Sequence, residues 1–315
     1  MCTHPGASLT RIVHGMALHT GLSVRLARRN SSRAIIMLHG VGDADLSQAD
    51  FAAAMQWLAR HFRVLSLSTL LRHLQRGLKP APEGEVALTF DDGLRNHAEL
   101  AYPVLRALRL PATFFVCPGL IEAGRWLWNH EARSRLRRLP PDELVELASD
   151  LQTAPKIEAI IAWMKTLPLE QRQRAEQRIR EATPHFQPTQ QERAAYDLMG
   201  WNDLRGLEPK LITIGSHTVS HPILSTLEDV EIRHELIHSR VWLEKELAGR
   251  VVDLFCYPNG SQDARVRGLA AQTYRAAVST VEGRVDVDVD WHAIPRVPVA
   301  AELPLMAWRM HRPGA

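Results

Sequence analysis

Cysteine is scarce in this 315-residue chain. Cys2, Cys117 and Cys256 are the only three, too few and too scattered for a disulfide framework or a zinc ribbon, and compatible with a reducing compartment. An excess of either charge is also lacking. Lys and Arg total 38 against 35 Asp and Glu, a formal net charge of +3, which excludes a chain that grips nucleic acid through bulk charge. No window approaches the roughly 18 apolar residues that cross a bilayer. The first residues are broken up by Arg11, His14, His19 and Arg25, so a secretory core of roughly 7–15 apolar residues is missing as well. The expected location is the cytoplasm. What remains is an ordinary globular balance, 45% hydrophobic and 23% charged, which excludes disorder as the dominant state.

Residues 1–33 read as an N-terminal extension, a short amphipathic helix that packs on the body of the protein, with contact to a membrane surface as a lesser alternative. From Ala34 the pattern changes. Apolar runs at 34–40, 85–93 and 111–119 read as buried strands, separated by helical spacing at 48–61, a short strand and second helix at 62–77, and a helix over 96–108 that Pro103 kinks or bounds. Alternation resumes with a helix at 201–207 and a strand at 210–217. A helix at 227–247, a strand at 251–258, a helix at 263–272, a strand at 274–280 and a last strand at 292–299 follow. Continuous apolar strands alternating with helices predict a parallel sheet covered by helices. About seven strands, with no glycine-rich dinucleotide fingerprint after the early ones, favour a closed barrel over an open sheet. The stretch of about 125–195 has almost no strand signal and two helical windows, 142–152 and 156–182, and reads as a helical insertion. The barrel body is placed at 34–300, with a tail at 301–315.

Three strand ends carry chemistry. Thr89-Phe90-Asp91-Asp92-Gly93 puts two adjacent carboxylates after a buried strand, costly if unpaired; alone, it reads as a turn with a helix cap. Gly215-Ser216-His217-Thr218-Val219-Ser220-His221 puts two histidines four residues apart after another strand; alone, they read as loop histidines. Together, one carboxylate and two imidazoles make a three-ligand metal site with open positions, and the other carboxylate is left to accept a proton. The third end, Phe255-Cys256-Tyr257-Pro258-Asn259-Gly260, is a turn whose backbone N–H groups at the rim suit a developing oxyanion.

These three segments, in this order and each after a strand, resemble the first three motifs of the polysaccharide deacetylases, the NodB-homology or carbohydrate esterase family 4 enzymes. The resemblance runs from about Ile35 to Val299 and is weakest in the insertion. The segments 201–207 and 294–299 also look like the subgroup found in exopolysaccharide gene sets. The resemblance implies a deformed (β/α)7 TIM-like barrel with a divalent metal at its C-terminal mouth. Asp92, His217 and His221 match the metal triad, zinc being favoured, with cobalt, manganese or nickel also suited to such ligands. Asp91 matches the catalytic base, and the backbone N–H of Asn259 the oxyanion contact. The implied reaction is hydrolysis of N-acetyl groups on an amino-sugar glycan or glycan precursor, releasing acetate.

Two positions depart from the pattern. Many members carry at the position of Cys256 an arginine that pairs with the base aspartate, and a thiol cannot make that pair. The C-terminal Leu-His motif, whose histidine protonates the leaving amine, is not matched at 292–299. A subgroup supplies this histidine from the first strand, and Met37-Leu38-His39-Gly40 resembles that element, so His39 is the expected general acid and His292 the weaker candidate. The departures leave open a deacetylase-like protein that binds glycan without cleaving it, or a hydrolase of an O-acetyl ester or another C–N amide. Two histidines and a carboxylate also describe the iron triad of non-haem oxygenases, but that chemistry usually sits on an antiparallel double-sheet barrel. Trp126, Trp128 and His130, near the expected mouth, read first as packing residues, with stacking on a sugar ring as the alternative. Asp203 is expected to brace its helix, and Arg133, Arg135, Arg137 and Arg138 to form a solvated helix face.

Overall fold

The computed structural model describes residues 5–29, 33–42 and 46–312; Cys2 lies outside them. Eight parallel strands form one sheet: β1 (Arg33–Leu38), β2 (Arg63–Val64), β3 (Glu85–Phe90), β4 (Ala112–Val116), β5 (Ile212–Ser216), β6 (Leu254–Cys256), β7 (Ala276–Glu282) and β8 (Ile294–Pro298). Seven of them close on themselves. The order β1-β8-β7-β6-β5-β4-β3 returns to β1 through a β1–β3 ladder that runs from Arg33↔Glu85 to Leu38↔Phe90. The two-residue β2 only flanks the start of β3, at Arg63↔Glu85. The result is the expected (β/α)7 barrel.

Two helices, α1 (Pro5–His19) and α2 (Leu22–Arg29), precede β1. The strands are then connected by α3 (Gln48–His61), α4 (Leu67–Gln75), α5 (Tyr102–Leu108) and α6 (Pro118–Ala123). The insertion between β4 and β5 holds α7 (Trp128–Leu136), α8 (Pro141–Asp150), α9 (Ile157–Met164), α10 (Leu169–Ala182) and α11 (Gln190–Tyr196). The ring is completed by α12 (Trp201–Gly206), α13 (Asp229–Glu246), α14 (Ala264–Ala271) and α15 (Leu303–Arg309). Ser47 and Ser66 cap α3 and α4 by accepting from the N–H groups of Asp50 and Thr69. Asp203 braces α12, its Oδ2 accepting from Gly200 N–H at 2.7 Å. No helix among the described residues is long and apolar enough to cross a membrane.

Differences from the sequence pattern have local causes. The segment 156–182 is two helices because Pro168 cannot continue α9 and instead introduces α10. Before Pro103 the chain forms a π-helical turn, His97–Ala101, a wider winding suited to a residue that lacks an N–H. Of the arginines in α7 and just after it, Arg137 is exposed, but the other three are not simply solvated. Arg133 forks onto Glu158, Arg135 pairs with Glu131 and lies over the Phe186 ring, and Arg138 pairs with Glu192. The N-terminal segment packs through α1 on α15, where His14 lies 4.9 Å from the Trp308 ring and Arg11 pairs with Glu302.

Strand alternation sorts the core into two shells. Ile36, Leu38, Leu88, Phe90, Phe114, Ile214 and Phe255 pack outward under the helices. Ile35, Ala87, Phe115, Leu254, Cys256, Val278 and Ile294 fill the barrel interior. Glycine is required where elements meet closely: a Cβ on Gly215 would stand 2.5 Å from the Phe115 ring. This parity decides which strand-end side chains face the mouth.

Candidate metal site

Asp91 continues β3 in the inward register of Ala87 and Thr89. Asp92 would point outward with Phe90, but its backbone is left-handed, φ 73°, and the turn brings its carboxylate back to the mouth. His217 likewise continues β5 inward after Thr213 and Gly215. Thr218 and His221 are left-handed, φ 71° and 57°, and fold the loop so that a second imidazole faces the first, their ring centroids 4.8 Å apart. Non-glycine residues rarely adopt this region, and such strain persists only where the surroundings hold it. Here Glu235 of α13 does so. Buried, it accepts from Val219 N–H at 2.7 Å, Ser220 N–H at 3.0 Å and the Ser220 hydroxyl at 2.6 Å. Gly119 lets the loop approach α6, since a Cβ there would lie 2.9 Å from the Val219 carbonyl oxygen.

Asp92 Oδ1 is 3.4 Å from Nε2 of both His217 and His221, and one ligand atom from each residue lies within 4.8 Å of the others. All three residues are buried. His217 Nδ1 donates to the Cys256 carbonyl at 2.7 Å, which leaves Nε2 as the atom that faces Asp92, the orientation a metal-binding imidazole takes. His221 Nδ1 is buried without a partner. Burial would raise the Asp92 pKa, but hydrogen bonds from His217 and His221 outweigh it and hold it well below the ordinary carboxylate value. Burial opposes charge on both rings. On His217 the neighbouring Cys256 and Asp92 override it and the pKa moves up, while on His221 burial prevails and it moves down. The donor set of one carboxylate oxygen and two imidazole nitrogens fits a divalent cation.

Beside the cluster, Asp91 is held by a residue to which the sequence reading assigned no role. Arg296 of β8, fully buried, donates to both Asp91 oxygens at 2.7 and 2.6 Å. Its remaining donors reach Thr89 Oγ1 at 3.0 Å, the Ser279 carbonyl at 2.8 Å and Cys256 Sγ at 3.3 Å. The pairing that Cys256 cannot make is therefore made from the other side of β7. Burial would push the Asp91 carboxyl up, but the Arg296 charge and hydrogen bonds override it and hold the pKa at about 2. His39, at the end of β1, places Nε2 3.9 Å from Asp91 Oδ2, its side chain half exposed. His292 precedes β8 with Nε2 2.9 Å from the Tyr274 carbonyl and shares no hydrogen bond with the cluster. Asn259 lies in the turn after β6, left-handed at φ 54° and exposed.

A family model described as polysaccharide deacetylase matches residues 78–277, more than half of the chain and both the Asp91–Asp92 and His217–His221 segments. The chain belongs to the polysaccharide deacetylase family. Over 75 residues it is 33% identical to a poly-β-1,6-N-acetyl-D-glucosamine N-deacetylase of Staphylococcus aureus, a match covering 24% of this chain and 25% of that protein. The fold is shared more widely. The Streptococcus pyogenes deacetylase PplD, in complex with acetate, superposes with a TM-score of 0.62 at 19% identity, covering 90% of this chain and 99% of that one. IcaB from Ammonifex degensii gives 0.58 at 16% identity, covering 89% and 97%.

Beside this cluster, a second missed residue supports the loop that carries His39. His97, fully buried, donates from Nε2 to the His39 carbonyl at 2.7 Å, and Asn96 Oδ1 accepts from Val41 N–H at 3.2 Å. Burial lowers the His97 pKa to about 4, against the hydrogen bond to His39, so the ring is neutral. Trp126 and Trp128 are buried as packing residues, and Trp128 Nε1 also donates to the His221 carbonyl at 3.2 Å.

Proposed function

We propose that this protein hydrolyses N-acetyl groups on an amino-sugar glycan or glycan precursor, with a divalent cation, zinc by preference, held by Asp92, His217 and His221. The observation that carries the reading is the bidentate Arg296–Asp91 pair beside the Asp/His/His cluster. It keeps one carboxylate ionised and aimed next to the other three groups. When bound, a divalent cation supplies Lewis acidity and lowers the pKa of water. Asp91 accepts the proton of the attacking water, and the lost proton moves to its free lone pairs while Arg296 keeps the carboxylate oriented. The Asn259 N–H, on the opposite strand end, is assigned to the oxyanion. His39 protonates the departing amine as the C–N bond breaks, so that one water is consumed and acetate and a free amine leave. The alternative of a binding protein without activity draws on two departures, the arginine absent at Cys256 and the absent C-terminal Leu-His; Arg296 answers the first, and His39 is the residue assigned to the second. The name of the staphylococcal relative favours a β-linked N-acetylglucosamine substrate.

The test is acetate release from a panel of N-acetylated oligosaccharides, with and without chelator. Asp91→Asn is expected to lose at least a hundredfold in turnover, the scale of a general base, while its metal content stays at the wild-type level. Near-normal turnover in that variant would remove Asp91 from its assigned role.

A further inference from the structure

Away from the buried cluster, two more histidines share one face of a helix. Residues 234–238 of α13 read His234-Glu235-Leu236-Ile237-His238. Two histidines four apart on a helix, with a glutamate directly after the first, is the spacing by which metalloproteases hold zinc, the glutamate acting as general base. Here the structure separates the two halves of that pattern.

The glutamate is already committed. Glu235 is buried, and both its oxygens serve the loop of His221. Oε2 accepts from Val219 N–H and Ser220 N–H, and Oε1 from the Ser220 hydroxyl. It faces the barrel side of α13 and is not placed to activate a water beside the histidines, so the pattern carries no peptidase chemistry.

The imidazoles are open. His234 and His238 are both exposed, one helical turn apart, and their rings stack with centroids 4.2 Å apart. Arg233, the cation next to them in the chain, is held by Gln272 Oε1 at 2.7 Å. Two nitrogens bound to one zinc at about 2.0–2.1 Å, at a tetrahedral angle, lie about 3.3 Å from each other, a spacing that rings this close can reach. A cation sits in the plane of each ring that binds it, so the stacked rings turn about their Cβ–Cγ bonds to chelate. That torsion is soft in histidine, and exposure leaves it free. Among the described residues only Asp92, His217 and His221 converge as a group of three ligands. The pair on α13 therefore offers two ligands, and water fills the remaining positions. Imidazole donors favour zinc, nickel and copper over magnesium or calcium.

We propose that His234 and His238 chelate a second divalent cation, of the zinc, nickel and copper class, on the outer face of α13. The site is separate from the buried cluster and does not depend on the deacetylase reading.

The experiment is equilibrium dialysis of the full-length, untagged protein against zinc, with free zinc raised until binding levels off and the bound metal counted. Wild type is compared with His234→Gln, His238→Gln and the double variant. Both positions are exposed, so the substitutions leave the core untouched. Wild type is expected to bind about two zinc ions per chain, one in the buried cluster and one on α13. Each single variant is expected to fall to about one, as low as the double variant, because a chelate fails when either ring is lost. Copper should hold the α13 site more tightly than zinc does. Equal zinc content in wild type and the double variant overturns the proposal. A partial loss in each single variant, complete only in the double, means two independent imidazoles and overturns the chelate.

Discussion

Replacing Arg296 with Met is the most direct way to test how the site holds its charge. The substitution removes all five of the side chain's hydrogen bonds but retains an unbranched chain in the barrel. Two routes give the size of the effect. Breaking a buried ion pair by removing one partner costs about 3–5 kcal/mol, because the other charge is left without compensation. Alternatively Asp91 takes up a proton. Buried carboxyls rise by up to about 3–5 pKa units, and from the value of about 2 held by Arg296 a rise of about 3 units corresponds to about 4 kcal/mol. The routes agree, so the variant should lose about 4 kcal/mol in denaturant melts at pH 7, and the acid limb of its kcat/KM profile should move up by about 3 units. The double variant Cys256→Arg/Arg296→Met puts the guanidinium back where the family resemblance expects it. Arg296 already lies 3.3 Å from the Cys256 sulfur, so the new side chain has the vacated volume to enter. It should recover much of the stability and return the acid limb toward wild type, whereas Cys256→Arg alone crowds two cations into one space and should destabilise. An Arg296→Met protein whose acid limb shifts by less than half a unit, and which loses less than about 1 kcal/mol, refutes the reasoning.

Other predictions concern the supports of the site. Glu235→Ala leaves the Val219 and Ser220 N–H groups unpaired and frees the strained loop; metal affinity, measured by competition with a chromophoric chelator, should fall about 10–100-fold, and an unchanged affinity would show that the loop holds itself. His39→Gln should lower kcat by about 10²–10⁴ with metal content intact, and a wild-type rate would move the general-acid role elsewhere. His97 gives a pH dependence of stability whose sign is set by burial. Its folded pKa is lowered to about 4 against about 6.5 in the unfolded chain, so between these values the unfolded state binds more protons. Its contribution is therefore full above about pH 6.5 and falls by up to about 3 kcal/mol as the pH drops toward 4. His97→Gln should flatten that slope in denaturant melts taken across the range, and a steeper slope would contradict the assignment.

The parts of this molecule legible in the sequence are those with a local signature. Helices such as α3 announce themselves through apolar spacing and a serine cap, and the barrel strands through short apolar runs. Asp91, Asp92, His217 and His221 stand next to turns at strand ends, and the structure brings the last three together. Arg296, His97 and Glu235 have no such signature, because each acts on a residue far away in the chain. Arg296 did leave a trace: a lone charge inside an apolar strand must be paired if it is buried. What the pattern of 294–298 cannot say is which carboxylate it meets, since that depends on β8 lying two strands from β6 around the closed barrel and next to β1.

Closure also explains why an arginine on either of two strands serves one aspartate. Cys256 and Arg296 both point inward, on strands separated only by β7, so the interior offers Asp91 a partner from more than one place on the wall. The Asp92–His217–His221 cluster has no such freedom. Only His217 follows its strand; strict strand parity would send Asp92 outward while His221 has no strand to orient it. Each is turned into place by a left-handed residue, and Asp92, Thr218, His221 and Asn259 make up four of the seven non-glycine residues with positive φ among those described. Each costs of order 1–3 kcal/mol, supported by contacts such as those of Glu235. Backbone strain is thus concentrated where alternation alone would point side chains away from the mouth, and the pair Asp91–Asp92 shows the effect in two adjacent residues: the first follows the strand and meets Arg296, the second breaks from it and meets the histidines.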